Sequence, residues 1–377
     1  MNYTIYSLFF IFITFLFLKK YLLDNTNMDT STRPKVTLPQ KLKIGYANWG
    51  ECDEKIFEAV QNGLNVIIWF SVDFTSKDGR PYISRGPDYA SVAKMINRFK
   101  DNNYHVVNLL SIGGWNSPHP DTTHSAQEYF SEWENFNKKI SNPSLSFYGF
   151  DGFDWDIEGN DDFASPANHF TVKELDLMGE LSVLAKQKGY LVAMAPAESY
   201  LDVTTSEFSL SLMHNHKEWE KEVPNFTYHG RNAYAYLIGK YGIENFDFVS
   251  VQLYEGYTHT LYRYERKKEK FRDILKEMVT RLEEGYEVDF SGVDSEMGKK
   301  VIAVPREKIV VGLANAWATK QFLFVKEEDI IDGYEELKKG QKECKGFMFW
   351  DIADEGKVHE GEEESFYMAK VLNKIFP

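Results

Sequence analysis

From Leu42 onward the chain alternates short apolar runs with longer stretches whose apolar residues recur every three or four positions. The short runs fall at residues 42–49, 65–72, 105–114, 148–161, 190–196, 246–254, 308–314 and 345–351. Their apolar, β-branched and aromatic content predicts strands. The spaced stretches, at 53–64, 87–103, 126–140, 172–187, 267–286, 327–340 and 366–376, predict amphipathic helices. In the second of these, Tyr89, Val92, Met95, Ile96 and Phe99 share one face. Two helices announce their starts, because Ser125 with Glu128 and Thr171 with Glu174 each have the spacing of a capping box.

Eight strands, each but one trailed by a clear helix, read as parallel βα units and predict a single closed (β/α)8 TIM barrel over residues 41–377. An open doubly wound sheet would show a glycine-rich phosphate turn after its first strand, and "NWGEC" at 48–52 is not one. The fifth strand is followed by a long connection, 197–245, which predicts an insertion at the barrel rim. The acidic tract 355–366 reads as a solvated loop.

Residues 5–18 are almost wholly apolar and precede Lys19 and Lys20, so residues 1–23 read as a secretory signal peptide or a membrane anchor. No small-x-small cleavage site follows, which favours an uncleaved anchor. The lysines after the run favour a cytoplasmic C-terminal side by the positive-inside rule, whereas a secreted domain needs the opposite. Residues 24–40 are polar and read as a linker. Asn225 and Thr227 form a glycosylation acceptor if the domain is extracytoplasmic. The expected location is the secretory pathway, secreted or anchored.

A net charge of −14 disfavours nucleic acid as a partner and is compatible with a neutral substrate. The 15% aromatic content points first to core packing, which takes the larger share of the rings, and it also suits a carbohydrate cleft. Cys52 lies just past the first strand and Cys344 at the start of the eighth, so they belong to opposite ends of neighbouring strands and are expected to be free thiols.

The stretch 148–161, "YGFDGFDWDIEGND", puts carboxylates into a run that otherwise reads as buried. Side chains alternate along a strand, so Asp154, Asp156 and Glu158 face one way and Phe153, Trp155 and Ile157 the other. In a barrel the acids line the axis toward the C-terminal mouth, where active sites of this architecture lie. Stacked carboxylates raise one another's pKa, so Glu158 can hold a proton at neutral pH and act as a general acid. A Mg²⁺ or Ca²⁺ site is the other use of clustered acids, but glycoside hydrolysis fits better, and no cofactor or metal is expected. Spacing alone leaves Asp156 open as a covalent nucleophile.

"DGFDWDIE", 151–158, resembles the DGxDxDxE signature of glycoside hydrolase family 18, the chitinase family. "SIGG" at 111–114, including Gly114, is similar to the family's SxGG motif, and "QLY" at 252–254 to its Q-x-Y motif. Trp350 resembles the tryptophan flooring the sugar subsite beside the cleaved bond. The resemblance implies hydrolysis of β-1,4 linkages between N-acetylglucosamine units, with the substrate's acetamido oxygen as nucleophile. It implies Glu158 as acid and then base, Asp156 as the group that orients the acetamido N–H, Asp154 as its tuning partner, and Tyr254 as donor to the acetamido oxygen. Gln252, Gly114 and Trp350 are implied in substrate binding, and Asp151 in structure. Glu255 departs from the Asp or Asn more usual after the tyrosine. Tyr46, Trp49, Trp115 and Trp317 are candidate sugar-facing or packing rings, and His119 and His229 read as polar loop residues. The alternatives are an endo-β-N-acetylglucosaminidase acting on the chitobiose core of N-glycans and a non-catalytic sugar-binding lectin. The partner is an oligosaccharide or polysaccharide containing N-acetylglucosamine, with a membrane contact if the first segment stays attached, and the protein is expected to be monomeric.

Overall fold

The computed structural model describes residues 36–47, 54–212, 232–294 and 296–377. The N-terminal apolar run, most of the polar linker, Trp49, Cys52, Asn225 and His229 lie outside the described residues. The compact unit runs from Thr37 to Pro377.

Eight parallel strands close on themselves: β1 (Leu42–Ala47), β2 (Val66–Lys77), β4 (Val107–Gly113), β5 (Gly152–Asp156), β6 (Leu191–Met194), β7 (Phe248–Gln252), β10 (Ile309–Ala314) and β11 (Gly346–Trp350). β1 pairs with β2 on one side and β11 on the other, which completes the ring. This is the TIM barrel that the alternation predicts, with all eight strands at the expected positions.

The helices between them are α1 (Glu54–Gln61), α2 (Tyr89–Asp101), α3 (Ala126–Ile140), α4 (Val172–Gln187), α5 (Ala235–Tyr241), α6 (Phe271–Glu284), α7 (Glu327–Lys339) and α8 (Met368–Ile375). Both capping boxes are formed: Ser125 and Thr171 accept from the backbone N–H of Glu128 and Glu174, whose carboxylates reach back to the cap residues. The outward residues of β5 join barrel to helices. Trp155 donates from Nε1 to Ser182 Oγ of α4 at 2.9 Å, and Phe153 packs edge-on to Trp133 of α3 with centroids 5.3 Å apart.

Three features depart from the sequence reading. β2 does not stop at Val72 but continues to Lys77, then turns at Asp78 and Gly79 into the antiparallel β3 (Arg80–Arg85). Both turn residues have positive φ, 52° and 70°, the conformation that an Asp-Gly hairpin turn needs. A second hairpin, β8 (Tyr286–Asp289) with β9 (Lys299–Ile302), follows α6. The tract 355–366 is not uniformly solvated, because Glu355 is buried and accepts from the Met368 and Ala369 amides at the start of α8, at 2.9 and 3.0 Å, and from Asn315 Nδ2. Cys344 is free and buried. Among the described residues no helix is long and apolar enough to cross a membrane.

Candidate active site

Local chemistry fixes the end of β5 before any ligand is considered. Gly113 and Gly114, at the end of β4, both have φ near +100°. A Cβ on Gly113 would sit 2.8 Å from the Asp156 carbonyl oxygen, and one on Gly114 would enter the Phe70 ring. Glycine therefore lets the β4 turn approach β5 closely enough for the Gly114 N–H to donate to the Asp156 carbonyl at 2.5 Å. Asp151, out of phase with the other acids, accepts from the Asn108 amide at 2.8 Å and ties the base of β5 to β4.

Asp154, Asp156 and Glu158 are all buried, at 0%, 5% and 7% exposure. The strand itself ends at Asp156, and Glu158 stands on the turn just beyond it. Asp154 accepts from the Tyr46 hydroxyl of β1 at 2.6 Å, while its other oxygen has no hydrogen-bond partner. Asp156 accepts from Gln252 Nε2 of β7 at 2.8 Å, and the same nitrogen donates to the Ala195 carbonyl at 2.7 Å, which sets the amide's orientation. Glu158 Oε1 is buried with no hydrogen-bond partner.

Burial of several acids in one place makes ionisation costly. Asp154 is pushed up to about 7 by burial, opposed by the Tyr46 hydroxyl. Asp156 is held well above the usual carboxylate range by burial, then by Asp154 and Glu255. Glu158 is likewise held well above it by burial, then by Asp156 and Glu255. Glu255, partly accessible, is pushed up to about 7 by desolvation. The cluster thus retains protons at neutral pH, and they belong to the group of acids rather than to one side chain.

Tyr254 is buried, and burial together with Glu255, Glu158 and Asp156 keeps its hydroxyl protonated as a donor. Aromatic rings build one wall. Tyr254 lies edge-on to Trp317 at 6.1 Å, and Trp317 edge-on to Trp350 at 6.3 Å. Trp350 is half-buried, 5.8 Å from the Tyr46 ring and edge-on to Phe70 at 4.9 Å. The structure therefore brings together Asp154, Asp156, Glu158, Gln252, Tyr254 and Gly114, and links Trp350 to them through Tyr46 and Trp317. The described residues hold no cluster of histidine, cysteine and acidic side chains suited to a metal ion.

Other residues take roles that the sequence did not reveal. His119, read as a polar loop residue, is held inside: its Nε2 lies 3.1 Å from the Glu158 carbonyl oxygen and its Nδ1 3.4 Å from Glu174 Oε2. Trp115, a candidate sugar ring, donates from Nε1 to Asp161 at 2.9 Å, so it clasps the β4 and β5 loops together. Tyr234, from the insertion, accepts the Ile157 N–H at 2.7 Å and is fully buried beneath the acid's turn. A lone tyrosine in an irregular segment carries no sequence signal of that kind. Glu255 joins the acid cluster, and its departure from the resembled motif was the one available sign.

No family model and no curated protein matches this chain. Among solved structures it is similar in fold to a fungal endo-β-N-acetylglucosaminidase from glycosyl hydrolase family 18, at 13% identity and TM-score 0.54, covering 90% of this chain and 98% of the other. It is also similar to a chitinase from Aspergillus fumigatus, at 14% identity and TM-score 0.51, covering 86% and 95%. The class defined by fold and motif together is a barrel resembling glycoside hydrolase family 18.

Proposed function

We propose that the protein is a retaining glycosidase that cuts β-1,4 linkages between N-acetylglucosamine units, in chitin or chitooligosaccharides. The observation that carries this reading is Glu158: a buried carboxyl at the barrel mouth, kept protonated by burial and by Asp156 and Glu255 beside it. A proton held at neutral pH next to a second carboxylate is what departure of a sugar oxygen requires.

In this mechanism the acetamido carbonyl oxygen of the sugar over Trp350 attacks its own anomeric carbon. The bond to the leaving oxygen breaks as Glu158 delivers its proton there. Asp156 accepts from the acetamido N–H and balances the oxazolinium charge, with Asp154 sharing the proton below it. The Tyr254 hydroxyl donates to the acetamido oxygen. Water then adds to the anomeric carbon from the same face, Glu158 takes its proton, and the oxazolinium ring opens to the retained product. Gln252 holds Asp156 in place, and the Gly113–Gly114 turn fixes the backbone beneath it.

The chitobiose core of N-glycans is the runner-up substrate, a linkage of the same chemistry. Assay of the purified protein on chitooligosaccharides and on a high-mannose glycopeptide separates the two. Cleavage of neither, with binding retained, would make the protein a lectin. Substrate lacking the N-acetyl group should not be cut, and efficient cleavage of it would overturn acetamide participation.

A further inference from the structure

A buried carboxylate that the mechanism does not use stands on the loop after β6. Glu198 opens the short helical turn Glu198–Leu201 after β6, and it is only 9% exposed. Both its oxygens are engaged by one residue of the loop after β7: Oε2 accepts the Thr260 backbone N–H at 3.0 Å and Oε1 the Thr260 hydroxyl at 3.1 Å. Thr260 is itself fully buried. A second contact runs in parallel, with His259 Nε2 3.2 Å from Asp202 Oδ2. Beyond the Ala197–Gln252 bridge at their bases, the two loops are therefore tied by side chains.

Each tied loop carries a buried tyrosine whose electrostatic surroundings include Glu158. Tyr200 lies two residues past Glu198, and its hydroxyl sits beside the Gly159 backbone amide. Tyr257 lies three residues before Thr260 and is buried as well, its hydroxyl held protonated by burial and by the charges of Glu255 and Glu158. Tyr200 also stacks on Tyr234, with centroids 6.1 Å apart, and Tyr234 holds the Ile157 backbone. Thr258 closes the second loop by donating from its hydroxyl to the Leu253 and Glu255 carbonyls, at 3.0 and 2.8 Å. The path toward the acid thus runs from Glu198 to Thr260 on one side, and through the Tyr200–Tyr234 stack to the Ile157 backbone next to Glu158 on the other.

We propose that Glu198 is a positioning residue for Glu158: by gripping Thr260 it locks the β6 loop to the β7 loop and so holds Tyr200 on Tyr234, which grips the Ile157 backbone beside the acid. The inference rests on the reading of Glu158 as the proton donor. Burying a carboxylate for a purely local bond would be a poor exchange, whereas fixing two loops over a reacting group favours keeping it.

The test compares wild type, Glu198→Ala and Glu198→Gln by steady-state kinetics on chitooligosaccharides and by amide hydrogen exchange at Gly159 and Thr260. An amide side chain can accept the Thr260 N–H and donate to its hydroxyl, so the Gln variant should keep kcat within about threefold of wild type. The Ala variant should lose kcat by about tenfold or more with KM nearly unchanged, because the sugar wall at Trp350 and Trp317 is untouched. Its Thr260 and Gly159 amides should both exchange faster. If Glu198→Ala does not fold, Thr260→Val removes only the hydroxyl bond and should give a smaller loss of kcat with the same split. An Ala variant with wild-type kcat, or one that loses protection at Thr260 while Gly159 is unchanged, would overturn the inference. The exchange arm decides it even for a chain that cleaves nothing, an outcome that would instead remove the glycosidase reading.

Discussion

The Tyr46 hydroxyl reaches from β1 to β5 and donates to Asp154 at 2.6 Å, while its ring packs 5.8 Å from Trp350. One side chain thereby joins the deepest acid to the tryptophan wall. It is also the only hydrogen bond the Asp154 side chain makes among the described residues, since the second carboxylate oxygen has none.

Removing that bond should leave Asp154 harder to ionise and less able to share a proton with Asp156. Hydrogen bonds to charged groups contribute about 1.5–3 kcal/mol, so Tyr46→Phe should lower kcat/KM on chitooligosaccharides by about 10- to 100-fold. The fold should be retained, checked by circular dichroism.

The raised carboxyls give stability an unusual pH dependence. Asp154, Glu198, Glu255 and Glu355 are pushed up to about 7, and Asp156 and Glu158 well above the usual range, with burial the first cause for each. An acid with its folded pKa raised binds its proton more tightly when folded, so its contribution is complete below the unfolded value near ~4 and is lost as pH rises through the folded value. Melting temperature should therefore rise as pH falls from about 8 to about 5.5. A Tm that falls steadily over that interval would show that the cluster is not protonated in the native state.

Gly113→Ala places a methyl group 2.8 Å from the Asp156 carbonyl oxygen and 2.7 Å from Ile157 Cδ1, at φ +100°. Strain of this kind costs about 1–3 kcal/mol, and relief would move the segment that carries Asp156 and Glu158. Both Tm and kcat should drop. Gly189→Ala is the control, since it also has positive φ but nothing within 4 Å. It should lower Tm alone.

Glu355→Ala strips the Met368 and Ala369 amides and Asn315 of their acceptor. Unsatisfied buried donors make a loss of about 2–4 kcal/mol the expected result, read by chemical denaturation. The effect should fall on stability far more than on turnover, because Glu355 anchors α8 and touches none of the acids on β5.

Much of this architecture is legible in residue order. Eight apolar runs mark the barrel strands because each is buried on both faces, and the Ser125 and Thr171 boxes mark helix starts because capping chemistry is local. The β2–β3 hairpin was readable from Asp78-Gly79, but the polar residues after Val72 conceal a strand that has left the barrel. β8–β9 gave less, since Glu287, Lys299 and Lys300 face water. At the site, Asp154, Asp156 and Glu158 are visible through strand alternation. Tyr234, Tyr200 and His119 are not, because their role depends on loops meeting from distant parts of the chain, which no periodicity encodes.

The account stands on the proton held by Glu158, and turnover of a chitooligosaccharide by wild type and Glu158→Gln tests it most directly. The amide keeps the shape and lacks the proton, so binding by calorimetry should persist while kcat falls by about 10²- to 10⁴-fold. A Glu158→Gln protein that cleaves at the wild-type rate would contradict it.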